Sequence, residues 1–171
     1  MSESHRDWTP SEEYLIQSWI DQASSLNWLH EKTAASYKKY DTVITLPIMI
    51  ITASTGSANV GMAFYSQSSW ISNLIAGVFG VGSAVLSAIA HYYKFGELAE
   101  THRQTANSWN KMRANMLVQL AIPYEERAEC KTFMDSIKEE MDRLCQSSPQ
   151  IPETFILELE KKKENEFYTQ L

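Results

Sequence analysis

The chain has 171 residues, 44% of them hydrophobic, and a formal net charge of -6 at pH 7. That length leaves no room for a second globular domain of ordinary size beside the apolar segment described below. The acidic balance argues against nucleic acid as a partner, and no Cys or His cluster has metal-ligand spacing, so no cofactor is expected.

Residues 1–8 read as a disordered lead-in. Thr9-Pro10-Ser11-Glu12 is a capping box with proline at the first helical position, a strong helix start. Ile16, Trp19, Ile20, Ala23 and Leu26 then recur at helical spacing, predicting a one-faced amphipathic helix over 10–39 within an N-terminal region 1–41.

Residues 42–90 contain no Asp, Glu, Lys, Arg or His over 49 positions. A membrane-spanning helix needs about 20 apolar residues, so the run predicts two spans, 43–64 and 70–92, inside a hairpin region 42–93. The polar stretch Tyr65-Ser66-Gln67-Ser68-Ser69 is the turn, and Pro47 falls in the first turn of the first span. Tyr37, Tyr40, Phe64, Tyr65, Trp70, Tyr92 and Tyr93 stand where interfacial aromatic belts belong. Lys32, Lys38 and Lys39 precede the hairpin and Lys94 and Arg103 follow it, which places both termini on the cytoplasmic face or its equivalent. Lys38, Lys39 and Lys94 are the candidate contacts to anionic lipid headgroups. A hairpin buried in a soluble bundle is the alternative; the charge-free run, the belts and the basic flanks together favour lipid.

Two patterns mark the spans. Ser72, Ala76, Gly80, Ala84 and Ala88 form a small-residue ladder on the second, and Ala53, Ser57 and Gly61 one on the first. Such ladders allow close helix approach in lipid, either within the hairpin or to a second copy in a homo-oligomer. A polar stripe, Asn73, Gly80, Ser83 and Ser87, ends at His91, and Thr45, Thr52 and Asn59 on the first span show the same spacing. Uncharged stripes of this kind line a pore if several hairpins assemble in a ring; otherwise their hydroxyls bond back to the helix.

Beyond the hairpin, Leu98, His102, Thr105, Trp109, Met112 and Met116 form a helix-pairing seam, with Gly96 the sole evident breaker before residue 121. Pro123 ends that helix, and a further one is expected over 124–145, with Cys130, Met134, Ile137, Met141 and Leu144 on its apolar face. Cys130 and Cys145 read as reduced, buried fillers. This cytoplasmic region, 94–146, gives way to a connector and C-terminal helix, 147–171, whose Lys161-Lys162-Lys163 run is placed to meet lipid or a protein partner. The apolar run begins too late for a cleaved signal peptide, and no phosphate loop, His-Glu-x-x-His or nucleophile elbow occurs, so enzymatic function is not expected.

The layout and several motifs are similar to the SLATT family of two-transmembrane effectors, in the standalone form found in large DNA viruses of eukaryotes. The likeness lies in His91-Tyr92-Tyr93-Lys94-Phe95, Glu97-Leu98-Ala99-Glu100-Thr101-His102-Arg103, Gln119-Leu120-Ala121-Ile122-Pro123, Glu139-Glu140-Met141-Asp142-Arg143-Leu144 and Ser148-Pro149-Gln150-Ile151-Pro152. The resemblance implies an all-α membrane protein, a transmembrane hairpin flanked by cytoplasmic amphipathic helices, that assembles and perturbs the bilayer. In that family a trigger domain usually sits alongside, and these 171 residues hold none. The other function class is therefore a structural anchor, such as a viral membrane or virion component tying membrane to a protein shell.

Overall fold

A computed structural model describes residues 8–63 and 70–169, with side chains described for 8–56, 70 and 74–165. The described residues form five α-helices and one 3-10 turn: α1 (Pro10–Ala63), α2 (Trp70–Tyr93), α3 (Phe95–Ala121), the turn Tyr124–Glu126, α4 (Cys130–Ser147) and α5 (Glu153–Thr169). They divide into two compact units. The first joins the chain up to Ala34 with everything from Glu100 onward; the second is Ala35–Ala99.

The first unit is a helical bundle. Its core gathers Ile16, Ile20 and Ala23 from α1, Trp109, Met112 and Met116 from α3, and Cys130, Phe133, Ile137 and Leu144 from α4. Each set recurs at spacings of three, four or seven residues, so one stripe per helix is removed from water. The capping box forms as read. The Thr9 amide donates to Glu12 Oε2 at 2.8 Å, and the Glu12 amide donates to Thr9 Oγ1 at 3.3 Å, an arrangement whose loss typically costs about 1 kcal/mol. Trp8, assigned to the lead-in, belongs instead to the core. Its indole N–H donates to the Ala128 carbonyl at 3.1 Å and its ring lies 5.7 Å from that of Phe133.

Arg127 explains why α4 begins at Cys130 rather than just after Pro123. The last carbonyls of α3 have no partner within the helix. Arg127 turns inward and supplies one, its Nε donating to Ile122 O at 3.0 Å and its Nη2 to Leu120 O at 2.8 Å. Its other Nη donates to Glu13 across the bundle, and the guanidinium lies over the rings of Tyr124 and Trp8 at 4.1 and 5.4 Å. A residue held this way cannot also sit in a first helical turn. Cys145 departs from expectation too: it is exposed, whereas Cys130 is buried.

Within the second unit α1 runs without interruption through residue 42, where a boundary between two helices was expected, and Pro47 lies inside it. The half-buried positions Ile44, Thr45, Ile48, Ile51 and Thr55 fall on one face of α1; on α2 they are Ala76, Ser83, Leu86 and Ala90. The break after α2 comes at Lys94, not Gly96. Lys94 has φ 49°, a left-handed conformation that costs an L-residue roughly 1–2 kcal/mol. The hydrogen-bond ladder nevertheless passes through it: its N–H donates to Ala90 O and its carbonyl accepts from Leu98 N–H, both at 3.0 Å. Gly96 has a different task, since a Cβ there would sit 3.2 Å from Asp41 Oδ1.

Candidate functional site

The apolar surface of the second unit is the feature that water does not explain. Leu74, Ile75, Val78, Phe79, Val81 and Val85 on α2 are each at least half exposed, as are Val43, Leu46, Met49 and Ile50 on α1. Transfer of each such side chain out of water is worth about 1–3 kcal/mol, so the exposed set forfeits on the order of 10 kcal/mol unless lipid or protein covers it. Among the described residues one helical stretch, Leu74–Ala121, is long and apolar enough to cross a membrane, and no residue of its most apolar window is buried. The core helix of a soluble protein is mostly buried; this one is bare. The first predicted span is helical through Ala63, but its side chains beyond Gly56 lie outside the described residues.

Aromatic rings mark the foot of this surface. Phe95 stacks on Tyr93 with centroids 5.2 Å apart and planes 8° from parallel, and Tyr37 and Tyr40 approach the same ring to 6.2 and 5.7 Å. Tyr92 meets Tyr93 edge-on at 5.1 Å. Amphipathic rings of this kind suit the headgroup boundary. Of the three lysines assigned to headgroups, Lys38 is ion-paired with Asp41 at 3.0 Å and Lys94 with Glu97 at 3.1 Å, and Lys39 is exposed. Those two pairs are largely solvent-exposed and weak, so neither ties its lysine down strongly.

The stripe residues divide. Thr45 and Ser83 are half-buried, while Thr52, Gly80, Ser87 and His91 are exposed; Asn59 and Asn73 lie outside the described side chains. Two span hydroxyls are already satisfied locally: Ser83 Oγ donates to Gly80 O at 2.9 Å and Thr55 Oγ1 to Ile51 O at 2.8 Å. Back-bonding of this kind removes any requirement that these residues face water. In the small-residue ladder of α2, Ala76 is half-buried, whereas Gly80, Ala84 and Ala88 are exposed, with nothing within 4 Å of a Cβ built on Gly80. Ala53 on α1 is exposed as well; Ser57, Gly61 and Ser72 lie outside the described side chains. Within the first unit, the lysine run of α5 is tied to α1: Lys163 donates to Ser25 Oγ at 2.9 Å, and Lys162 lies 5.5 Å over the Trp28 ring.

One constellation in the bundle was missed by its chemistry, though His102 was placed on the seam. His30 and His102, each 1% exposed, bring their Nδ1 atoms to 2.9 Å with ring centroids 5.1 Å apart. Burial, and then the charge of His102, push the His30 imidazole down to about 4; burial pushes His102 down as well. Two histidines 72 residues apart leave no local sequence motif. Their helical phase on two apolar stripes was the available signal.

An all-helical chain with a bare apolar helix and an aromatic foot defines a membrane-associated protein. Residues 27–154 match the family described as SMODS and SLOG-associating 2TM effector domain family 4, and the chain belongs to that family. No curated protein and no solved structure matches it.

Proposed function

We propose that the protein is a two-span membrane effector that self-associates and permeabilises the bilayer. The observation that carries this reading is the uncovered apolar surface of α2, in a chain whose family is described by its two transmembrane helices and effector role. The charge-free stretch continues through the first predicted span, which supports a hairpin rather than a single crossing. Gly80, Ala84 and Ala88 are exposed on one chain, so this ladder is free to receive a second copy. Pore lining then falls to the stripe through Asn73 and Ser87, with His91 at one mouth. Both termini occupy the face marked by the lysines, no catalytic step is assigned, and no nucleic acid is bound.

Potassium flux from liposomes carrying purified protein tests this. Flux that rises steeply with protein-to-lipid ratio, and falls at least tenfold in Ser87→Leu and Asn73→Leu, is the expected result. Absence of flux in correctly inserted wild-type protein refutes permeabilisation and leaves the anchoring role.

A further inference from the structure

We propose that the His30–His102 contact is an acid-sensitive latch that holds α1 against α3 while both rings are neutral and releases them on protonation. Neither imidazole has a part in the permeabilising role above, and the inference stands whether or not the membrane segment conducts.

The chemistry follows from the distance. At 2.9 Å, Nδ1 to Nδ1, one ring donates its N–H and the other accepts on a lone pair, so the two are opposite tautomers. A first proton has two places to go: the second nitrogen of the donor ring or the accepting Nδ1. Either puts a cation into an interface from which water is excluded. A second proton makes both Nδ1 atoms donors, and N–H then faces N–H at hydrogen-bond distance. The pair therefore titrates as a unit, with repulsion added to desolvation at the second step.

The charged groups that flank the pair, among the described residues, are exposed or engaged with one another. On α1, Glu31 and Lys32 flank His30 and are exposed. On α3, Glu100 and Arg103 flank His102 and are bound to each other at 2.7 and 2.8 Å. From α5, Glu158 is taken by Lys32 at 3.0 Å, and Lys162 and Lys163 lie on Trp28 and Ser25. From α4, Glu140 is taken by Arg143. Around His30 the turns before and after carry neutral groups: Asn27 and Thr33, the latter's hydroxyl donating to Leu29 O at 2.8 Å. An added proton thus meets burial and a second imidazole.

The position of the latch gives it leverage. His30 lies about one helical turn before Ala34, the last α1 residue of the bundle unit, and His102 lies at the start of α3's share of it. Loosening α1 from α3 here acts on the last α1 turn and the first α3 turn that belong to the bundle unit.

Amide hydrogen exchange on the full chain in lipid nanodiscs reads the opening, with intrinsic rates corrected for pH. Peptides covering 26–34 and 99–106 should exchange at least tenfold faster at pH 5.0 than at pH 7.5, while α4 peptides change far less. His102→Leu should abolish that difference. Imidazole nitrogen NMR of the wild type supplies a readout that needs no variant: two rings should titrate below the ordinary imidazole range, with mutual displacement of their shifts. Ordinary titration near 6.5 at both rings overturns the proposal, as does unchanged exchange across this pH range.

Discussion

Replacing Arg127 by alanine should be among the most destabilising single changes in the bundle. The side chain is 6% exposed and holds three acceptors at once: the Glu13 carboxylate and the carbonyls of Leu120 and Ile122. Truncating one member of a buried charge pair costs about 3–5 kcal/mol. Glu13 keeps 30% of its side-chain surface in water, which argues for about 2 kcal/mol from this pair. Two helix-terminal carbonyls left without donors add about 1 kcal/mol each. The expected loss is therefore about 4 kcal/mol, against about 1–2 kcal/mol for Arg127→Lys, which keeps the charge but not the fork. Urea unfolding in detergent micelles, followed by tryptophan fluorescence, measures it, because Trp8 lies against the guanidinium. The sign with pH is fixed as well. Arg127 holds the Glu13 carboxyl below the usual 4.5, so the contribution is full above 4.5 and is lost as pH falls through the lowered value. A loss under 1 kcal/mol, or an acid limb identical in wild type and Arg127→Ala, refutes the clamp.

Three further outcomes follow from the geometry. Lys94→Gly should raise the unfolding free energy by about 1 kcal/mol, because glycine adopts φ 49° without the Cβ penalty, and Lys94→Val should lower it; a destabilised Lys94→Gly would remove the strain argument. In the folded protein a maleimide should modify Cys145 within minutes and spare Cys130 until denaturant is added, as counted by intact mass. Stability should fall as pH drops from 6.5 toward about 4, since both latch histidines are held neutral in the fold and accept protons in the unfolded chain. His30 alone accounts for about 3 kcal/mol over that window, and a flat profile between pH 7 and 5 refutes it.

Much of this architecture is legible in residue order because its causes are local or periodic. The Thr9–Glu12 cap, the seam through Trp109, Met112 and Met116, the face through Ile137 and Leu144, and the charge-free stretch are all read from spacing alone. The misses share a different cause. Arg127 belongs to no periodic pattern or motif, and only the fold brings Glu13 to it from 114 positions away. Trp8 was given away to the lead-in because no periodic pattern precedes the cap. Lys94 was passed over for Gly96, since glycine is the usual left-handed residue; the close approach of Asp41 gives Gly96 another reason to lack a side chain. The membrane face was legible as composition. Which of its small and polar residues meet a neighbouring helix depends on phase and assembly, which composition does not encode.

The division of polar groups between the two units bears on how such an effector is controlled. Between residues 42 and 90 there is no Asp, Glu, Lys, Arg or His, so that segment has no means of responding to charge or acidity near neutral pH. Any such response must enter through the bundle or the rim at His91. Among the described residues, buried charged and imidazole groups lie in the bundle, and they join separate elements: Arg127 ties the α3–α4 connection to α1, and His102 ties α3 to α1. Apolar pairs at these positions would hold the helices as well or better. What polar pairs add is a dependence on protonation that a leucine pair lacks. The two share a sense but differ in range: the histidine contact weakens once protons arrive below about 6.5, while the Arg127–Glu13 contact persists until the carboxylate itself is protonated, below 4.5. Mild acid should therefore release α1 from α3 near the apolar segment while the far end of α1 stays clamped, a partial opening that a bundle with a uniform apolar core could not undergo.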